Sequence, residues 1–193
     1  MTHAEARAIV DAAWRRVHGR APTQAELTYA QAIALLETGY GRTGQFAAMA
    51  ARGQYNWGAL ERRPNADGSC PAGTAPGIDQ GSVCFLVFPS DVEAAAQFIR
   101  TLTTRHWPTV MAMRGSPEDV ATAMRVPPVY YEGRSGSNAD RIRAYATAIR
   151  NAIRTMGAPI PAGAAAAAAG LGAVVVAGSL AAGAYWLANG RRW

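Results

Sequence analysis

A threonine and a glutamate three residues apart, Thr23 and Glu26, introduce the segment that most limits how this chain can fold. Such a pair forms a capping box, in which each side chain satisfies a free backbone amide of the other at a helix start. A helix is therefore expected from Gln24 to about Thr38, where Gly39 and Gly41 supply the conformations that end it. Ala30, Ile33, Ala34 and Glu37 fall at helical spacing on one face. One carboxyl thus closes an otherwise apolar stripe. The helix dipole at that end disfavours negative charge, and apolar surroundings disfavour it further. Both effects raise a carboxyl pKa, as a general acid working at neutral pH requires. A glutamate turned to solvent at a fraying helix end is the plain alternative.

The rest of the chain reads as further helices around one irregular region. Thr2 and Glu5 form another capping box, opening a helix from His3 to His18 that Gly19 stops. Ala6, Ile9, Val10, Ala13, Trp14 and Val17 give it an apolar stripe. Charged residues interrupt any apolar run there, so it does not read as a signal peptide. We expect residues 1–22 to form an N-terminal helix packed on the main domain. From Arg52 to Pro89 helical periodicity disappears. Pro, Gly, Asn and Asp cluster between Arg63 and Gly81, and the β-prone run Val83 to Phe88 follows. A loop-rich lobe with a hairpin is expected. Ser90 to Glu93 reads as a third capping box, with Val92, Ala95, Ala96, Ile99 and Leu102 on the buried face of the next helix. Short helices are expected over Thr109 to Met113 and from Pro117 to before Pro127. After a loop carrying Tyr130, Tyr131 and Glu132, a last helix runs from about Ala139 to Met156. Ile142, Tyr145, Ala146, Ile149, Ala152, Ile153 and Met156 share its apolar face, and Arg141, Arg143, Arg150 and Arg154 fall off it.

All 19 basic residues are arginine, and the net charge is +6. A basic surface suits an anionic partner such as cell-wall polymer or acidic lipid. The arginines form no dense run, so nucleic acid is not expected as a partner. His3, His18, His106 and the two cysteines lie too far apart in sequence for metal-ligand spacing, and no nucleotide-binding glycine loop is present. No cofactor is therefore expected. Ala158 to Leu187 carries no charge, and Leu171 to Leu187 is its most hydrophobic part. With Tyr185 and Trp186 suited to the interface and Arg191 and Arg192 to headgroups, residues 158–193 read as a C-terminal transmembrane anchor and basic tail. An Ala/Gly linker is the alternative.

Ala34-Leu35-Leu36-Glu37-Thr38-Gly39-Tyr40-Gly41 resembles the A-L-E-S-G-W-G signature around the catalytic acid of glucosaminidase-type peptidoglycan hydrolases, which have the lysozyme fold. Tyr55-Asn56-Trp57-Gly58-Ala59-Leu60 is similar to that family's N-x-F-G-I-K segment. Phe85 to Ser90 is similar to its F-R-x-Y-x-S strand. Tyr130-Tyr131 and Tyr145 to Ile149 resemble its closing G-Y-A and Y-A-x-x-L motifs. The resemblance covers roughly residues 24–156 and keeps the family's order. It implies a mainly α, lysozyme-like domain over residues 23–157 with a small hairpin lobe, acting on peptidoglycan.

Glycoside cleavage needs an acid for the leaving oxygen and a second group to handle the oxocarbenium ion. The resemblance gives Glu37 the first role. It implies a second carboxylate in the lobe, for which Asp79, Glu61 and Asp67 are the candidates, in that order. If none serves, the substrate's own N-acetyl or hydroxyl group takes over, as in a lytic transglycosylase. Asn56 and Trp57 are expected to contact sugar, and Tyr131 and Tyr145 to line the cleft. Cys70 and Cys84 lie within the lobe; bridging them would close a loop of about 15 residues and add roughly 3 kcal/mol. Two free thiols are the alternative, but the lobe has little core and the implied work is extracytoplasmic. A catalytically inactive glycan-binding or structural module of a virion membrane is the competing reading. With no secretion signal read and the hydrophobic segment C-terminal, a phage product is expected, anchored in a virion membrane or the host envelope; a bacterial tail-anchored protein is the competing account.

Overall fold

The computed structural model describes residues 1–77, 83–105, 107–124 and 138–161. These residues form a mainly helical protein with a small three-stranded sheet. Three helices frame the body: α1 (His3–His18), α2 (Gln24–Thr38) and α7 (Asn138–Thr155). Both expected N-terminal capping boxes are present, and Gly19 and Gly39 end α1 and α2 in left-handed conformation.

The sequence suggests that α2 buries one stripe, yet nearly all of its length is enclosed. Glu26 to Ala34 are all buried, as are Glu37 and Thr38. The reason is its position: α1 packs on one side and α7 on another. A helix apolar nearly all round belongs inside, which the alanines of α2 permit by letting neighbours approach closely. α1 is likewise part of the main core rather than an accessory, because Ala6, Val10, Ala13 and Trp14 are fully buried in it. It lies along α4 (Asp91–Arg100).

The start of α4 departs from expectation. Ser90 accepts the Glu93 amide at 3.2 Å, but the Glu93 carboxylate bonds Arg16 of α1 at 3.4 Å instead of returning to the cap. Only half the box forms, and the other half becomes a tie between helices. A π-helical turn, Thr101–Arg105, continues α4, and α5 (Trp107–Ala112) follows. α6 (Pro117–Ala123) begins with a full Ser116/Asp119 capping box and proline in its first turn. It packs against α7, where Arg150 pairs with Glu118, so that arginine is not merely solvated. The folded body extends past residue 157: Ala158 and Ile160 pack against the main core.

A helix the sequence did not announce, α3 (Gln45–Ala51), leads into the lobe. The expected hairpin is a three-stranded antiparallel sheet, β1 (Glu61–Arg62), β2 (Thr74–Pro76) and β3 (Cys84–Leu86), in the order β1-β3-β2. The lobe also has a small core of its own: Phe46 and Met49 of α3 gather with Ala59, Ala75, Val83 and Phe85. Cys70 and Cys84 form a disulfide, with Cα atoms 5.5 Å apart, pinning the loop after β1 to the central strand. Among the described residues no helix is long and apolar enough to cross a membrane. The expected anchor, Leu171 to Leu187, lies outside the described residues.

Candidate active site

Glu37 occupies the last turn of α2 and is only 6 % exposed. Tyr145 of α7, also buried, donates its phenol to Glu37 Oε1 at 2.9 Å. The fraying alternative therefore does not hold in this fold. A carboxyl is kept inside, at the point where the helical body gives way to the lobe, and a side chain from the last helix sets its orientation.

The turn after Glu37 is built to hold that position. Thr38 accepts the Gly41 amide at 2.8 Å and donates to the Trp57 carbonyl at 2.8 Å. Gly41 has φ 69°, and a Cβ there would stand 2.9 Å from the Asn56 carbonyl, so only glycine fits both the backbone and the space. Arg42 reaches Asp91 at 2.7 Å, and the other oxygen of Asp91 accepts Trp57 Nε1 at 2.8 Å. The end of α2, the Tyr55–Leu60 turn and the start of α4 are thus one hydrogen-bonded unit.

Asn56 and Trp57 are consumed by that unit. Trp57 is 0 % exposed, so its ring offers no face to a sugar. Asn56 donates to the carbonyls of Leu60 and Leu86 at 2.9 and 3.0 Å and accepts from the amides of Gly58 and Leu60 at 3.3 and 3.0 Å. That uses its full hydrogen-bonding capacity and leaves none for an N-acetyl group. The expected sugar contacts are corrected to a structural role, because these two side chains connect the acid turn to the sheet. Tyr145 meets the acid itself. Tyr131 and Asp79 lie outside the described residues.

The two remaining carboxylate candidates differ sharply. Asp67 is exposed at a turn, where bonds from the Ser69 hydroxyl and amide hold its pKa below the usual value. Glu61 stands on edge strand β1 opposite Phe85, which in turn faces Ala75, so its side chain shares the sheet face that forms the lobe core. Burial against that face pushes its pKa up to about 8. Because the folded value lies above the ordinary 4.5, this group favours folding below about pH 4.5 and loses that contribution as pH rises through 8. We expect Glu61→Gln to be more stable than the parent chain at pH 8 and to show no such advantage at pH 4. Paired urea titrations would measure this, and a gain equal at both pH values would contradict a desolvated carboxyl.

Sequence reasoning missed two contributors. Gln31 is buried in the middle of α2, and a polar residue within Ala30-Gln31-Ala32 was the available signal. Glu26 read as a cap alone, but it also pairs with Arg20. Among the described residues no group of histidine, cysteine and carboxylate side chains is gathered to hold a metal ion. These residues define a mainly helical protein with one buried, phenol-bonded carboxyl beside a small disulfide-tied sheet. No protein-family model, curated protein or solved structure matches the chain.

Proposed function

We propose that the chain is a lysozyme-like enzyme that cleaves the glycan strand of peptidoglycan, with Glu37 as the general acid. The observation that carries this reading is the buried Glu37 carboxyl at the end of α2, bonded by the Tyr145 phenol of α7. The motif resemblance around Glu37 supports the substrate class. The enclosed helix beside a small sheet accords with it.

Glu61 is poorly suited to be the second carboxylate of a two-carboxylate hydrolysis. With a pKa raised to about 8 it is mostly protonated at neutral pH, and a protonated carboxyl is a poor base or nucleophile. Where Asp79 does not take the second role, a hydroxyl of the substrate does, as in a lytic transglycosylase. Mass spectrometry of purified peptidoglycan after digestion tests both levels. Anhydro ends support the single-acid route, and reducing ends support hydrolysis. Uncut strands would overturn the enzymatic reading in favour of a glycan-binding or structural module.

We also propose that residues 171–187 anchor the protein in a virion membrane or host envelope. The full-length chain is expected to partition into detergent. A chain ending at Pro161, which keeps the packed Ala158 and Ile160, is expected to stay in the aqueous phase and still cut the wall. A full-length chain that remains aqueous would end the anchor proposal.

A further inference from the structure

Two energetic costs meet at one place beside the acid. Tyr40 has left-handed backbone, φ 60°, between Gly39 at 55° and Gly41 at 69°. A glycine would adopt that conformation freely, so something about the tyrosine side chain offsets the strain. Gln31 brings the second cost, a side-chain amide buried in the middle of α2.

The two residues meet. The Tyr40 ring is buried, tilted against Trp57 at 5.6 Å and edge-on to His3 at 5.8 Å. Its phenol oxygen lies 3.0 Å from His3 Nδ1 and receives Gln31 Nε2 at 3.4 Å. The same Gln31 nitrogen donates to the His3 backbone carbonyl at 2.7 Å. The Tyr40 phenol and His3 Nδ1 share one hydrogen bond, whose direction follows the His3 tautomer. Burial pushes the phenol pKa up to about 12, so the phenol is protonated at neutral pH. The first residue of α1, the middle of α2 and the turn after Glu37 are joined in one clasp.

We propose that Tyr40 is a positioning residue for Glu37: held by His3 and Gln31, it fixes the left-handed turn that ends α2 and so the direction in which the Glu37 carboxyl leaves the helix. The coupling is short. The Tyr40 amide bonds the Ala34 carbonyl at 3.2 Å, and the Gly39 amide bonds that of Leu35 at 2.9 Å. Those carbonyls belong to the helical turn that carries Glu37. Strain held in place by several partners beside a reactive group is where preorganisation is found.

The proposal rests on Glu37 acting as the acid, so its test has two arms. Tyr40→Phe keeps the ring and removes the phenol's bonds to His3 and Gln31, and His3→Ala removes the phenol–imidazole bond from the other side. Each is expected to lower kcat on peptidoglycan about tenfold with KM unchanged, since small misplacement of a reacting group is costly. Each is also expected to move the titration midpoint of the Glu37 carboxyl, followed by carbon NMR and assigned by its loss in Glu37→Gln. The double variant should fall no further than the worse single one, because both remove the same interaction. Single variants that lose thermal stability while kcat and the Glu37 midpoint stay at parental values would overturn the proposal, and so would additive losses in the double variant. If the parent chain does not cut peptidoglycan, the acid reading fails by itself. The titration arm then decides alone: a moved midpoint upholds the positioning role and an unmoved one overturns it.

Discussion

Glu37→Gln is expected to fold as the parent does and to lose nearly all cleavage of peptidoglycan. Glutamine retains an oxygen in the place of Oε1, so the Tyr145 phenol keeps its acceptor at the spot where it now bonds at 2.9 Å. What the amide cannot do is give up a proton to a leaving oxygen. A positioned acid is worth about 100-fold or more in rate. A glutamine variant retaining more than about a tenth of the parental rate would contradict the acid role. Circular dichroism and thermal melting on the same sample separate lost chemistry from lost fold, and the expected melting temperature is close to the parent's.

Arg20→Ala should produce the largest loss of stability from one surface-reaching side chain. Arg20 grips the wholly buried Glu26 carboxylate through both terminal nitrogens, at 2.8 and 2.7 Å, and the Thr23 amide adds a third donor at 2.8 Å. Burial alone would raise the Glu26 pKa. The Arg20 guanidinium and the Thr23 amide outweigh it and hold the value at about 2. Removing the arginine leaves a buried carboxylate short of its partner, a change that costs 3–5 kcal/mol in dry interiors. Half of Arg20 remains in water, so about 2 kcal/mol is the expected loss at pH 7. The sign follows from a folded pKa below the ordinary 4.5. The pair's contribution is complete above about 4.5 and fades as pH falls toward 2. Urea unfolding of parent and variant should therefore differ most near neutrality and converge in acid. A gap that stays constant down to pH 2.5 would assign the loss to packing of Arg20 over Trp14 instead, a contact of 5.8 Å.

Local signals carried the helices well, because a capping box is written within four residues. Thr2/Glu5 and Thr23/Glu26 both close as expected. Glu93 fails for a non-local reason: Arg16 lies 77 residues away in sequence and competes for its carboxylate. α3 begins at Gly44 with no capping side chain, so nothing local announced it. Strands of two or three residues are too short to show alternation, which hid the third strand of the sheet. The site divides along the same line. Glu37 was visible as a carboxyl ending an apolar stripe, whereas the Tyr40 clasp joins residues 37 apart and has no period to betray it. Asn56 shows the reverse error. Its motif context suggested a ligand contact, but in the fold four backbone groups already use it.

The bond between Tyr145 and Glu37 spans 108 residues of chain, and this sets an order of events during synthesis. The ribosome completes the acid-bearing helix well before it makes the phenol that orients its carboxyl. Until α7 has emerged, α2 lacks one of the walls that exclude water from it. A nascent or prematurely ended chain therefore carries the acid without its setting. On the proposed reading, a lytic protein built this way gains its competence only once α7 has emerged and the folded body closes around α2.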